Sequence, residues 1–76
     1  NSIYPNPTES YIIIQNKENK TENFAYSIID LTGRIVKNGK SKFSEEINIE
    51  SLASGNYIIQ IETESGEKLV EKLIKN

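Results

Sequence analysis

The chain is built of short apolar runs separated by polar turn residues. Residues 11–15 form an isoleucine-rich run, and in residues 24–31 and 57–64 apolar side chains at every second position would share one face of a strand. Ile47 and Ile49 alternate with polar neighbours in the same way. A period of two is typical of a strand with one buried face. The pattern therefore predicts an all-β domain of short antiparallel strands, arranged as a sandwich or a barrel.

Glycine and proline residues mark the predicted turns. Pro5 and Pro7 end a strand stub at residues 3–4, because they fix two φ angles and lack two N–H donors. The motif at residues 30–33 predicts a turn into a strand over residues 34–37. The sequences at residues 38–39 (Asn-Gly) and 65–66 (Ser-Gly) predict a second turn and a two-residue hairpin loop. Residues 16–23 are polar and predict a loop.

Residues 67–75 fit two structures. Leu69, Val70, Leu73 and Ile74 have helical spacing, but the hairpin turn before them favours a returning strand. On a strand, both faces of this segment carry apolar side chains, whereas a sandwich offers one side to the core. Either a bulge re-aims part of the strand, or one apolar set stays exposed.

Composition and charge exclude several function classes. The 76 residues, enough for a single domain over residues 1–76, carry 9 Lys and Arg against 11 Asp and Glu, which argues against a nucleic-acid partner. No apolar run is long enough for membrane insertion. The absence of His and Cys removes the usual general base, the thiol nucleophile and most zinc ligands. We expect no enzyme activity, no cofactor and no metal site, and we expect the chain to be part of a longer protein.

The remaining candidates for chemistry have plain structural interpretations. Glu45 and Glu46 are adjacent and point to opposite faces of a strand, so they do not converge. Glu62 and Glu64 share a face, as solvent-side carboxylates of a half-exposed sheet do. The tyrosines could form a sugar-stacking platform, but we interpret Tyr26 and Tyr57 as core-edge residues with their hydroxyls in water.

Four motifs in their order along the chain carry a family resemblance. They are YPNPT at residues 4–8, IDLTGRIV at residues 29–36, LASGNYII at residues 52–59 and KLIKN at residues 72–76. Together they resemble the type A C-terminal sorting domain of the type IX secretion system of Bacteroidetes, over essentially the whole chain. The resemblance implies an Ig-like antiparallel β-sandwich of about seven short strands. It also implies that an outer-membrane translocon recognises the domain, and that a sortase removes it from an upstream cargo domain, which reaches the surface or the medium through the periplasm and outer membrane.

The resemblance also assigns residues to roles. Pro5, Asn6 and Pro7 match the opening motif, Asp30 and Gly33 the mid-chain turn, and Gly55 and Tyr57 the second turn and strand; all of these also have ordinary roles in shaping turns. Lys72, Leu73, Ile74 and Lys75, here called the terminal segment, match the part required for export, and we expect them to be the recognition element.

Two further expectations follow at this stage. Deleting residues 72–76 should abolish export and cost about 1–2 kcal/mol of stability, because terminal strands fray. The alternative function is an Ig-like adhesive or carbohydrate-binding module of a secreted protein, which would show an exposed aromatic row or a cluster of calcium ligands.

Overall fold

Seven strands account for the alternating segments of the sequence. The structure is a computed structural model that describes residues 2–16 and 22–76, and no helix occurs within these ranges. The strands are β1 (Ser2–Tyr4), β2 (Tyr11–Gln15), β3 (Asn23–Asp30), β4 (Ile35–Lys42), β5 (Glu46–Asn48), β6 (Gly55–Thr63) and β7 (Lys68–Lys75). The predicted all-β class is confirmed. Of the loop predicted at residues 16–23, residues 17–21 lie outside the described residues, and Asn23 already belongs to β3.

The strands form two antiparallel sheets. One sheet has the order β1-β2-β5, and the other has the order β4-β3-β6-β7. In the constant-type immunoglobulin sandwich the fourth strand joins the sheet of the first, second and fifth. Here β4 pairs with β3 instead, from Asn23↔Lys42 to Ile29↔Ile35. The two edge strands of the larger sheet are therefore β4 and β7.

The core lies between the two sheets. The alternate residues of β6 predicted to share one face, Tyr57, Ile59, Ile61 and Thr63, are all buried. Ile12 and Ile14 of β2 cover them from the opposite sheet as members of the same cluster. The buried apolar residues are Ile12, Ile14, Phe24, Tyr26, Ile28, Phe43, Ile47, Ile49, Leu52, Tyr57, Ile59, Ile61 and Leu73. Each fully buried aliphatic side chain contributes about 1.5–3 kcal/mol relative to an exposed one.

The turn predicted at Asn38-Gly39 is wrong. Both residues lie inside β4, where Asn38 pairs with Ser27 and Gly39 pairs with Tyr26. A Cβ atom at position 39 would lie 3.2 Å from the Tyr26 hydroxyl oxygen. A side chain at position 39 would crowd the Tyr26 ring, which lies over the Gly39 backbone. The strand predicted over residues 34–37 begins at Ile35 and extends to Lys42.

Residues 67–75 form the predicted strand, not a helix. β7 pairs with β6 in regular register from Glu62↔Lys68 to Gly55↔Lys75. The hairpin that precedes β7 is closed by the Thr63 N–H, which donates to the Glu67 carbonyl at 2.9 Å. Three residues thus form the loop, where two were predicted. Because the register contains no bulge, one apolar set of β7 stays exposed, and Val70 is 62% exposed.

Candidate functional site

The opening motif and the terminal segment, which lie at opposite ends of the chain, contact each other in the folded domain. The Asn6 side-chain Nδ2 donates to the Lys72 carbonyl at 3.0 Å. The Ile74 N–H donates to Asn6 Oδ1, also at 3.0 Å. One carboxamide therefore bonds the backbone of β7 on both sides of Leu73.

Thr8 continues this contact in the manner of a short parallel strand. Its N–H donates to the Ile74 carbonyl at 3.0 Å, and its carbonyl accepts the Asn76 N–H at 2.8 Å. The Thr8 side chain is buried, and its hydroxyl donates to the Tyr11 carbonyl, which ties the segment to β2. Sequence reasoning did not single out Thr8, because nothing local indicates which strand it will meet.

The Asn6 side chain makes the hydrogen bonds that a neighbouring strand would make with β7, at the edge of the four-stranded sheet. An edge strand presents unpaired N–H and C=O groups, which are a template for unwanted pairing. An asparagine side chain carries one acceptor oxygen and two donor hydrogens and so imitates a peptide group. Residues 5–8, here called the strap, therefore cover the backbone from Lys72 to Asn76, at the end of β7 and one residue beyond it.

The other two motifs meet the terminal segment at the same end of the sheet. Asp30 lies opposite Tyr57, and Tyr57 lies opposite Leu73, in one row across β3, β6 and β7. Gly55 lies opposite Lys75 at the end of the β6–β7 ladder. The structure thus brings together residues of all four motifs that carried the resemblance.

The terminal segment divides into one core residue and three accessible ones. Leu73 is fully buried at 0% exposure, so its side chain packs in the core and offers no surface to a partner of the folded domain. Lys72 is exposed, and Ile74 and Lys75 are partly exposed. The surface that a partner can touch here consists of Lys72, Ile74, Lys75 and the adjoining strap.

Asp30 organises the mid-chain turn through its carboxylate. Oδ1 accepts the Thr32 hydroxyl at 2.6 Å and the backbone N–H groups of Thr32 and Arg34 at 3.0 Å each. Gly33, with φ +88°, donates its N–H to the Asp30 carbonyl at 3.0 Å. The hydrogen bonds from the Thr32 hydroxyl and then the Arg34 backbone hold the pKa of the Asp30 carboxyl below its ordinary value.

The exposed partner of this carboxylate adds little to the turn. Arg34 Nε lies 3.2 Å from Asp30 Oδ2, but the arginine side chain is 77% exposed, so water screens the pair. The predicted turn at residues 30–33 is confirmed. Its hydrogen bonds account for Asp30 and Gly33 as parts of the fold.

Tyr57 forms a corner between β5 and β6. Its ring is buried, and its hydroxyl donates to the Ala53 carbonyl at 2.6 Å. The expectation that this hydroxyl lies in water is wrong, because the chain folds back from residue 53 to meet it. Such a tyrosine, at the start of the sixth strand and bonded to the backbone a few residues upstream, is a recurrent feature of Ig-like sandwiches.

The acidic side chains of the described residues are not clustered for metal binding. Residues 2–16 and 22–76 contain no group of three or more carboxylates placed to hold a metal ion. Within the same ranges, no helix is long and apolar enough to cross a membrane.

Comparison with known protein families gives a match over nearly the whole chain. The sequence profile of the family described as "Secretion system C-terminal sorting domain" matches residues 2–76. A comparison with curated proteins gives no significant match.

Proposed function

Because the chain belongs to the family of secretion system C-terminal sorting domains, we propose that an outer-membrane translocon recognises it and that a sortase then removes it. Membership makes the domain a sorting signal of type IX secretion, a system of Bacteroidetes. Such a signal implies an upstream cargo, a secretion machinery and export to the cell surface or beyond. The family is not a known enzyme family, and we propose that this domain has no catalytic activity of its own.

The observation that carries the proposal is the meeting of the four motifs at one end of the four-stranded sheet. The strap bonds the terminal segment at Lys72 and Ile74, and Tyr57 lies opposite Leu73. A signal made of residues far apart in sequence is present only when the domain is folded. We propose that the translocon reads this end of the folded domain through Lys72, Ile74 and Lys75.

A transfer experiment tests the proposed function. Residues 1–76 are fused through a flexible linker to the end of a periplasmic reporter, in a Bacteroidetes host that has a type IX system. We expect the reporter to reach the cell surface or the medium, and mass spectrometry should show that the exported reporter lacks the domain.

Two controls make the outcome decisive. The same reporter carrying the host's own sorting domain should be exported, and the fusion in a host without the translocon should stay in the periplasm. If the folded fusion stays in the periplasm while the host's own domain exports the reporter, the proposal is wrong. That result would favour the adhesive or carbohydrate-binding alternative.

A further inference from the structure

The outer edge of β7 is only partly covered. In an antiparallel ladder, the N–H and C=O groups of alternate residues point away from the partner strand. In β7 the residues whose backbone groups point away from β6 include Lys72 and Ile74, because the strap bonds the Lys72 carbonyl and both backbone groups of Ile74. By the period of two, the backbone groups of Val70 and Lys68 point the same way.

This second half of the edge carries open hydrogen-bonding groups. Among residues 2–16 and 22–76, none hydrogen-bonds to the outward N–H or C=O of Val70 or Lys68, or to the Lys72 N–H. The Val70 side chain beside them is 62% exposed. A shallow groove of about 420 Å³, lined by Ser27, Gln60 and Val70 among others, runs along the sheet next to this stretch. We call residues 68–72 the open edge.

Charge decides what can pair with the open edge. Lys68 and Lys72 flank Val70 on the exposed face of β7. A second copy pairing antiparallel about Val70 would place Lys68 opposite the Lys72 of its partner, and like charges directly opposite are destabilising. The other edge strand of the sheet, β4, is also rich in lysine, with Lys37, Lys40 and Lys42. Edge lysines of this kind oppose pairing of such sheets with each other.

The intramolecular neighbours leave much of this positive charge unopposed. Glu62 lies opposite Lys68 in β6, whereas the residue opposite Lys72 is Ile58. A carboxylate of an added strand beside Lys72 would therefore pair with an ammonium group that has no acidic residue opposite it in β6. A second carboxylate beside Lys68 would share that lysine with Glu62.

We propose that the open edge accepts an extended segment of a partner protein by strand addition, with acidic side chains beside Lys68 and Lys72 and an apolar side chain beside Val70. Main-chain hydrogen bonds supply affinity in this mode of binding, and alternate side chains supply specificity. The proposal rests on the proposed function, since the partner would belong to the secretion machinery. It adds the chemistry of the segment that the machinery presents.

A binding experiment with defined probes tests the proposal. The probe is the capped heptapeptide Thr-Glu-Thr-Val-Thr-Glu-Thr, and the control has both Glu replaced by Lys. Amide hydrogen exchange of the 76-residue chain is followed by NMR at millimolar peptide. We expect the acidic peptide to slow exchange of the Val70 amide at least tenfold, with no change from the basic peptide. Equal protection by both peptides, or protection by neither, would overturn the proposal.

Two variants separate backbone pairing from charge. Val70→Pro removes the outward N–H and is compatible with an edge strand, and Val70→Thr keeps that N–H. We expect Val70→Pro to abolish the effect of the acidic peptide, measured at the Lys68 amide, and Val70→Thr to retain it. If Val70→Pro fails to fold, the exposed double change Lys68→Glu/Lys72→Glu provides the test instead. We expect this variant to be protected by the basic peptide and not by the acidic one. An unchanged preference would refute the role of charge.

The remaining outcomes show whether a second copy of the chain or an acidic partner segment pairs with the open edge. Concentration-dependent protection of Val70 without peptide would identify a second copy as the occupant and overturn the acidic partner. In reporter fusions, export of the wild-type domain with equal export of Val70→Pro and Lys68→Glu would overturn this inference and leave the proposed function intact, because neither residue belongs to the terminal segment. Failure of the wild-type fusion would count against the proposed function, while the peptide experiment would still decide the chemistry of the open edge.

Discussion

Replacing Asn6 by alanine should loosen the end of the sheet where the motifs meet. The change removes the donor to the Lys72 carbonyl and the acceptor of the Ile74 N–H, both 3.0 Å long. It leaves the hydrogen bonds of Thr8 and the β6–β7 ladder in place. The free energy of unfolding should therefore fall without loss of the fold.

The size of the effect follows from the number and setting of the lost bonds. A typical intramolecular hydrogen bond contributes about 0.5–1.5 kcal/mol net. Both bonds of Asn6 lie at an exposed edge, where water can replace the side chain. We expect a loss of about 1–2 kcal/mol, within the range expected for two bonds of this strength. For a domain of this size that corresponds to a fall in Tm of roughly 5–15 °C.

The assay combines thermal melting with amide exchange at Ile74. If the terminal segment opens locally, a loss of 1–2 kcal/mol speeds exchange of the Ile74 amide about 5–30-fold. Asn38→Ala is the matched control, because Asn38 is exposed on β4 and its change should stay within about 0.5 kcal/mol. Asn6→Asp adds a second test, since its carboxylate cannot donate to the Lys72 carbonyl until it is protonated, below about pH 4. If Asn6→Ala leaves both Tm and Ile74 exchange unchanged, the strap does not hold the terminal segment.

Three further changes test other parts of the site. Leu73→Ala should lower the free energy of unfolding by about 2–5 kcal/mol in chemical denaturation, because the Leu73 side chain is fully buried. Val70→Ala on the exposed face should change it by no more than about 0.5 kcal/mol. Equal effects would contradict the assigned faces. Tyr57→Phe should cost about 1 kcal/mol by removing the bond to the Ala53 carbonyl, and an unchanged midpoint would contradict the corner. The lowered pKa of Asp30 means that its contribution to stability is present above about pH 4 and is lost as the pH falls through the folded-state pKa. Asp30→Asn should flatten that part of a stability–pH profile, and an unaltered slope would refute the assignment.

The structure revises the expected cost of truncation. The analogy with fraying chain ends predicts a cost of about 1–2 kcal/mol for loss of residues 72–76. However, Leu73 lies in the core and the strap bonds the backbone around it. The deletion would remove a core side chain, part of the β6–β7 ladder and the partners of Asn6. Surface substitutions, rather than truncation, therefore separate recognition from folding.

The strands were predictable where a local pattern decides the fold. The alternation of β6 placed Tyr57, Ile59 and Ile61 on one face, and the structure buries all three. The turn after Asp30 was also predictable, because an aspartate carboxylate bonds backbone groups close to it in sequence. In these cases the pattern or the hydrogen bond that decides the structure lies within a short stretch of the chain.

The errors arise where distant contacts override local preference. Asn38-Gly39 has strong turn propensity, but pairing with β3 and the Tyr26 ring over Gly39 keep it in a strand. The bonds of Asn6 join residues 66 and 68 positions apart. No pattern near Asn6 indicates that β7 will be its partner. The family resemblance identified the motifs, but their meeting at one end of the sheet required the structure.

The most direct test of the central claim is export by a domain altered only on the surface of the terminal segment. Reporter fusions would carry Lys72→Glu/Lys75→Glu, with Lys40→Glu/Lys42→Glu on the opposite edge strand as the control of equal charge change. Thermal melting of both domains verifies the fold. We expect the first variant to lose export at least tenfold and the second to be exported like the wild type. Equal export of two folded variants would contradict recognition through the terminal segment.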